Sequence, residues 1–270
     1  MANYDVIGDI AIIKFGKEVK EKEKREIALE FLKQHKNVRT VLEKSNKVSG
    51  RLRTIKTRFL GGENRKETIH KESGCEFKLN VSSCYFSPRL SNERLEVAKF
   101  INQNIGKKKN CNVLVMFSGV APYPIVISKF SPARRIVAVE LGKECCRYAK
   151  LNVMKNNAFN VEVIQGDVKK VIKKGRLNVK GNLVPLQFDF IIMPRPNLSN
   201  TFLKEAFYVC KKNSIIVWYG FSSESGIQKM LASIHKEAKK YKKKIKISSI
   251  KEAGDIAPHE HRYRIEILIR

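Results

Sequence analysis

The chain reads as an α/β protein, a doubly wound and mostly parallel sheet preceded by a small α+β module. Three observations predict this. From about residue 112 onward, continuous apolar runs alternate with helical segments, the pattern of strands buried on both faces by crossover helices. The first ninety residues lack that alternation and read as short hairpins around one helix. At 270 residues and 43% hydrophobic content, the chain has room for one large or two smaller cores.

Taken in order, YDVIGDIAIIKF (4–15) predicts a hairpin turning at Gly8-Asp9. A helix is expected over about 17–35, with Ile27, Leu29, Phe31 and Leu32 on its apolar face. Val38 to Val41 reads as a short strand. In the basic stretch that follows, RLRTIKTRFL reads as an exposed strand with a basic face, and ETIHKESGCEFKLNV as a hairpin turning at Ser73-Gly74. Pro88 breaks the strand pattern, and SNERLEVAKFINQNI continues as a helix with Ser91 as its N-cap. The composition changes near 85–95, giving expected domains 1–90 and 91–270. Beyond it NVLVMF, RIVAVEL, VEVIQGD, FDFIIMP and SIIVWYGF read as strands, and KIKISSI and RIEILIR as a closing pair. Helices are expected at about 122–129, 143–156, 199–211 and 224–243.

Charge narrows the partners. Lys and Arg number 54 against 26 Asp and Glu, a net charge of +28. Such an excess speaks to partners rather than to fold, and it favours a polyanion, nucleic acid first and an anionic surface second. No segment approaches the ~20 apolar residues that cross a bilayer, and the N-terminus lacks the pattern of a secretory signal. The six cysteines show no C-x2-C spacing, so they read as buried thiols of a reducing cytosol rather than metal ligands or disulfides. His259 and His261 have no evident third ligand, and no metal is expected. The run KEAKKYKKKIK (236–246) reads either as a solvated helix end or as a phosphate-contacting surface.

The candidate site lies at the carboxyl ends of the parallel strands, where open α/β sheets bind ligands. The first strand runs into Phe117-Ser118-Gly119-Val120-Ala121-Pro122-Tyr123, a glycine turn that lets backbone approach a ligand and aims a helix at it. It is not a phosphate loop of the G-x-x-x-x-G-K-[ST] kind, which disfavours ATP hydrolysis. The second strand ends in Glu140-Leu141, with an acid placed to accept from a ribose diol, and the third in Gly166-Asp167-Val168, where a carboxylate can meet an adenine amino group. Either acid alone is more often a helix cap or a solvated strand end. Gly loop, acid and acid on three successive strand ends fit a nucleoside cofactor, and the missing G-x-G-x-x-G favours S-adenosylmethionine over NAD. The fourth strand ends in Met193-Pro194-Arg195-Pro196, a rigid carbonyl-lined rim where amino-methyltransferases hold the target nitrogen. Arg89, after Phe86-Ser87-Pro88, can bond a base or a phosphate.

FSPRLSNER, FSGVAPY, ELGKECCRYAKLN, the Gly-Asp pair, IIMPRP and the late Ala-Pro of DIAPHEHR occur together in this order. In this the chain resembles, from about residue 4 to its end, the archaeal and eukaryotic tRNA (guanine-N1)-methyltransferases that act at position 37. The resemblance implies a class I S-adenosylmethionine-dependent methyltransferase domain behind a small RNA-positioning domain. It implies a cytoplasmic monomer that engages the anticodon stem-loop, with Phe117, Gly119, Ala121, Pro122, Tyr123, Glu140, Leu141, Asp167, Val168 and Pro194 around the cofactor. Catalysis is expected of Arg89, Pro194 and Pro196, with Arg89 on the guanine O6. The family also carries a domain that grips the tRNA elbow; no matching segment precedes residue 4, so the excess positive charge is expected to substitute for it. Departures are Val115 for the usual Asp, Ala121 for the second loop glycine and Pro194-Arg195-Pro196 for Asn-Leu-Pro. Proline in place of that Asn is similar to an archaeal subgroup that also methylates carbon 7 of 4-demethylwyosine to give isowyosine. The rival readings are the related wybutosine enzyme that transfers an aminocarboxypropyl group, against which Ser87-Pro88-Arg89 stands, and a non-catalytic RNA-binding protein on a decayed methyltransferase fold.

Overall fold

The computed structural model describes residues 3–45, 54–106, 110–179, 181–195, 200–257 and 259–270. Its elements run β1 (Asn3–Ile7), β2 (Ile10–Lys14), α1 (Glu21–Gln34), β3 (Thr40–Lys44), β4 (Thr57–Gly62), β5 (Glu67–Glu72), β6 (Cys75–Asn80), α2 (Ser91–Ile105) and β7 (Asn112–Met116). They continue with α3 (Pro122–Phe130), β8 (Arg135–Glu140), α4 (Lys143–Lys155), β9 (Val161–Gln165), α5 (Val168–Val171), β10 (Ile172–Lys173), β11 (Arg176–Val179) and β12 (Asn182–Pro185). The last are β13 (Phe188–Met193), α6 (Leu203–Val209), β14 (Cys210–Ser222), α7 (Ile227–Lys240), β15 (Ile245–Ala257) and β16 (Glu260–Ile269). Among the described residues no helix is long and apolar enough to cross a membrane.

The chain divides into two compact units. The first holds residues 1–92 together with 119–122 and 142–157, so the glycine turn and α4 group with the N-terminal segment. These units are not contiguous in sequence, unlike the expected division into 1–90 and 91–270. In this unit β1–β2–β3–β4 form one sheet and β5–β6 a hairpin. The hairpin turns at Ser73 and Gly74, both left-handed (φ 48° and 64°), as a two-residue turn with matching twist requires. The first hairpin turns at Gly8, also left-handed, where any Cβ would stand 2.2 Å from the Thr68 hydroxyl.

The short strand expected at Val38–Val41 begins instead at Thr40, because Val38 and Arg39 are taken up in backbone bonds to His35 and Asp9. In α1, Ala28 is the residue buried outright, with Phe31 and Leu32 packed on the same cluster; Leu29 and Ile27, expected on the apolar face, are exposed. A 3-10 turn over Pro88–Leu90 leads directly into α2. Ser91 already has helical angles, so it is not the N-cap; the extended residue before the turn is Ser87.

The second unit is built on a seven-stranded sheet in the order β15-β16-β14-β13-β7-β8-β9. Pairing is parallel from β14 through β9, and β16 runs antiparallel between β14 and β15. The order reverses between β7 and β13, the switch point at which such sheets open a crevice. β13 is buried along its whole length and β7 from its second residue on, which is why they read as unbroken apolar runs. A three-stranded β10–β11–β12 meander lies in a stretch with no strand pattern strong enough to predict it. The helix expected at 199–211 is shorter, because Cys210 and Lys211 already belong to β14.

Candidate active site

The parallel ladders carry the site residues past the strand ends. Ser118 N–H donates to the Val139 carbonyl (3.0 Å) and Gly166 N–H to the Glu140 carbonyl (2.8 Å), so the ends of β7, β8 and β9 stay level. On the other side Ile192 of β13 pairs with Val115 of β7, which brings Pro194 to the same edge. Phe117, Glu140, Asp167 and Pro194 thus line one edge of the sheet, all half-buried. Leu141 is half-buried beside Glu140, and Val168 is buried behind Asp167.

The turn after β7 is conformationally unusual. Phe117, Gly119 and Ala121 all take positive φ (57°, 58° and 68°). Glycine adopts this freely, but an L side chain does so at a cost of roughly 1–2 kcal/mol. Strain kept at two non-glycine positions in five residues marks a loop held for its shape. The Ser118 hydroxyl between them is buried and has no hydrogen-bond partner among the described residues. An orphaned buried donor is costly, and a polar ligand entering the loop would satisfy it. Pro122 opens α3, where its missing N–H costs nothing. Within the first unit, the Asn152 amide donates to the Val120 carbonyl (3.0 Å) and so ties the loop down.

An aromatic cluster stands at the same sheet edge. Phe117 packs edge-on against Phe202 with ring centres 5.0 Å apart. The Arg195 guanidinium lies 5.8 Å from the Phe117 ring centre, and the Lys169 ammonium 5.2 Å from that of Phe202. The Asp167 carboxylate accepts from Lys169 N–H (3.0 Å), the N-cap of α5. Tyr123 and Tyr219 are stacked edge-on, their hydroxyls 3.4 Å apart, and Tyr219 in turn donates to Glu93. Burial pushes both phenols up, Tyr219 well above the usual range. These groups stay protonated and act as donors. Val115 is fully buried in mid-sheet, paired with Ile192 of β13 and Ala138 of β8.

Arg89 belongs to the first unit. Its Nε donates to the Asp5 carboxylate (2.6 Å) and an Nη to the Tyr4 carbonyl (3.4 Å), which holds the guanidinium in one orientation while 60% of the side chain stays exposed. Pro196 lies outside the described residues. His261 pairs with Glu252 at 3.1 Å, and among the described residues no group of three or more His, Cys, Asp or Glu could hold a metal ion. All six cysteines are free thiols and buried. Sequence reading assigned no role to Ser118, Lys169 or Phe202, which touch or line the strand ends. Ser118 carried a signal, its place between two turn residues; Phe202 did not, since its left-handed φ of 55° is visible only in three dimensions.

The fold agrees with comparison to known proteins. The family described as TRM5/TYW2 methyltransferase domain matches residues 68–247, and the TYW2 N-terminal domain matches residues 1–65. The chain is 32% identical over 268 residues to the tRNA (guanine(37)-N(1))-methyltransferase Trm5b of Pyrococcus abyssi, covering 99% of this chain and 74% of that one. It is 33% identical over 310 residues to the tRNA (guanine(37)-N(1))/4-demethylwyosine(37)-methyltransferase Taw22 of Nanoarchaeum equitans, covering 99% of each. Among solved structures, that of aTrm5 in complex with tRNALeu superposes with a TM-score of 0.84 at 26% identity, over 99% of this chain and 72% of that one.

Proposed function

Because the chain belongs to the TRM5/TYW2 methyltransferase family, we propose that it is a tRNA methyltransferase that uses S-adenosylmethionine to form N1-methylguanosine at position 37. In the same reading it also methylates carbon 7 of 4-demethylwyosine, as the name of its full-length Nanoarchaeum relative states for that protein. The observation that carries the methyl-transfer reading is the level row of strand ends, with a left-handed loop and an orphaned Ser118 hydroxyl at one end and the Pro194 rim at the other.

The residues present fit the cofactor. The loop from Phe117 to Tyr123, with Gly119, Ala121 and Pro122, would hold its methionine part, and Glu140 and Leu141 its ribose. Asp167 and Val168 would hold its adenine, and Pro194 would close the pocket. The Asp167 side chain accepts the Lys169 backbone N–H, which holds the carboxylate at the end of β9. When bound there, S-adenosylmethionine supplies the methyl group, its carbon–sulfur bond breaking as the bond to N1 forms. Guanine N1 gives its proton to a general base on the way, and the charge spreads onto O6. A guanidinium fixed at O6 stabilises that charge more than it stabilises the neutral base. Arg89 is assigned this role, with Asp5 keeping it oriented. Pro194 makes a stiff rim whose carbonyl can hold the base, and Pro196 is assigned to the same task from its place in the sequence. Residues 1–90 position the RNA, residues 91–270 perform the chemistry, and the enzyme works as a monomer on the anticodon stem-loop in the cytoplasm of an archaeal cell.

One observation favours a second reading, since residues 1–65 match a TYW2 N-terminal domain. Aminocarboxypropyl transfer would then replace methyl transfer. Incubation with S-adenosylmethionine and unmodified tRNA-Phe, then with 4-demethylwyosine-containing tRNA, distinguishes them by nucleoside mass. N1-methylguanosine and isowyosine are expected. An aminocarboxypropyl product would overturn the methyltransferase reading, and cofactor binding without any product would leave a decayed enzyme.

A further inference from the structure

Two buried arginines on β16 have opposite surroundings. Arg264 and Arg262 lie opposite Tyr219 and Phe221 of β14, on one face of the sheet. Arg264 is 2% exposed and meets three carboxylates, Glu93 at 3.0 Å, Glu96 at 3.5 Å and Glu266 at 3.4 Å. Arg262 is 4% exposed and meets no carboxylate among the described residues. Its guanidinium stacks 4.2 Å from the Tyr219 ring centre. One Nη donates to the Pro194 carbonyl at 3.2 Å, and the buried Nε has no acceptor.

A cation stripped of water, with one hydrogen bond and no counter-ion among the described residues, is costly to keep. The nearby carboxylates do not relieve it. Glu93 is occupied by the Tyr219 hydroxyl and by Arg264, and Glu266 stands beside Arg264. Arg94, also felt by Tyr123, is a cation and supplies no negative charge. A hydrophobic residue would stack on Tyr219 without this cost. An anion from outside the chain, at the sheet edge where Pro194 stands, would supply the missing negative charge.

Resting on the reading of the chain as a guanine-N1 methyltransferase, we infer that Arg262 is a positioning residue for methyl transfer, fixing the rim through the Pro194 carbonyl and supplying an unneutralised positive charge that favours the deprotonated target purine. The anion it serves is the purine with its charge on N1 and O6, which forms at this rim only during reaction. The carboxylate of the cofactor is the competing anion, and the experiment separates the two.

The test uses the full chain, a tRNA transcript with guanosine at position 37, single-turnover rates and S-adenosylmethionine calorimetry. Arg262→Met is expected to lower the single-turnover rate about a hundredfold, the usual loss for one preorganised electrostatic contact, with cofactor affinity and the KM for tRNA unchanged. Arg262→Gln keeps a donor for Pro194 but no charge, and is expected to be nearly as slow. Arg262→Lys keeps the charge and is expected to recover most of the rate. A full rate in Arg262→Gln overturns the charge role, even if Arg262→Met does not fold. A loss confined to cofactor affinity overturns the purine as the anion. Equal losses in all three variants with lowered melting temperatures reduce Arg262 to a packing residue. A wild-type chain that makes no N1-methylguanosine removes the underlying reading, whereas an active wild type with unaffected variants removes this inference alone.

Discussion

At the scale of single residues, the candidate site was legible as chemistry and illegible as strain. Glu140 and Asp167 could be picked out because acids follow a glycine loop on successive strand ends, and ladder bonds past both strand ends keep them at one level. The cost stored in the loop could not be read, since nothing in the letters Phe117 and Ala121 announces positive φ. Ala121→Gly tests that cost. It removes a left-handed alanine worth about 1 kcal/mol, so chemical denaturation should show a gain in stability of about that size or a little less. A loss would mean that the methyl group packs favourably enough to outweigh its strain. Arg89 was legible only by its neighbours Ser87-Pro88, and its bond to Asp5 lies 84 positions away in sequence. Arg89→Ala is expected to cut the methylation rate by about a hundredfold or more while cofactor affinity persists. An unchanged rate would take Arg89 out of the mechanism.

At the scale of elements, the strands of the main sheet were legible because burial on both faces forces continuous apolar runs, whereas the amphipathic α1 misled. Its alanine is the buried position and two of its large apolar side chains face water. The role of α4 was also hidden. Its Asn152 and Asn156, one turn apart, act as a surrogate strand edge for β6. Lys78 N–H donates to the Asn152 side chain (2.8 Å), whose amide donates back to the Lys78 carbonyl (3.0 Å). Asn156 treats Glu76 in the same way, at 2.8 and 2.7 Å. Asn152→Ala would leave the Lys78 backbone and the Val120 carbonyl unsatisfied, at a cost of about 2–3 kcal/mol. The first unit also depends on paired acids. Hydrogen bonding from Arg58 holds Glu21 below its ordinary value, and Tyr148 and Lys155 do the same for Glu67 and Glu76. Burial works to raise Asp9, but hydrogen bonds from Arg65 and Thr68 outweigh it and lower it. Carboxylates lowered on folding stabilise above their ordinary values near 4.5 and 3.8 and lose that contribution as the pH falls through them. Glu266 in the second unit is raised by burial, so its sign is opposite and acid does not weaken it. Hydrogen exchange between pH 5 and pH 3 should therefore open β4 to β6 before the central sheet; simultaneous opening would refute the assignment.

At the scale of the whole molecule, the net charge of +28 matters less than where it is left unpaired. Much of the positive charge of the first unit is neutralised, as in Lys24 with Glu43, Arg65 with Asp9, Lys71 with Glu76 and Lys78 with Glu67. The run from α7 into β15 is different. Lys236, Lys239, Lys240, Lys242, Lys244 and Lys246 are all exposed, and none forms an ion pair with a described carboxylate. Because β16 is antiparallel to both β14 and β15, β15 runs parallel to β14. The lysine run therefore stands at the amino-end edge of the sheet, about 20 Å, one strand length, from the Pro194 rim. A patch there cannot read the target base, but it can hold the sugar-phosphate backbone of the same RNA at a distance. Replacing Lys239, Lys240, Lys242 and Lys244 together by Gln should raise the KM for tRNA and leave kcat at saturation intact. The plot of log affinity against log salt should also flatten, by about 0.7–0.9 for each phosphate that the variant no longer neutralises. A slope equal to that of the wild type would mean that these lysines face only solvent, and that the RNA is held by charge elsewhere on the chain.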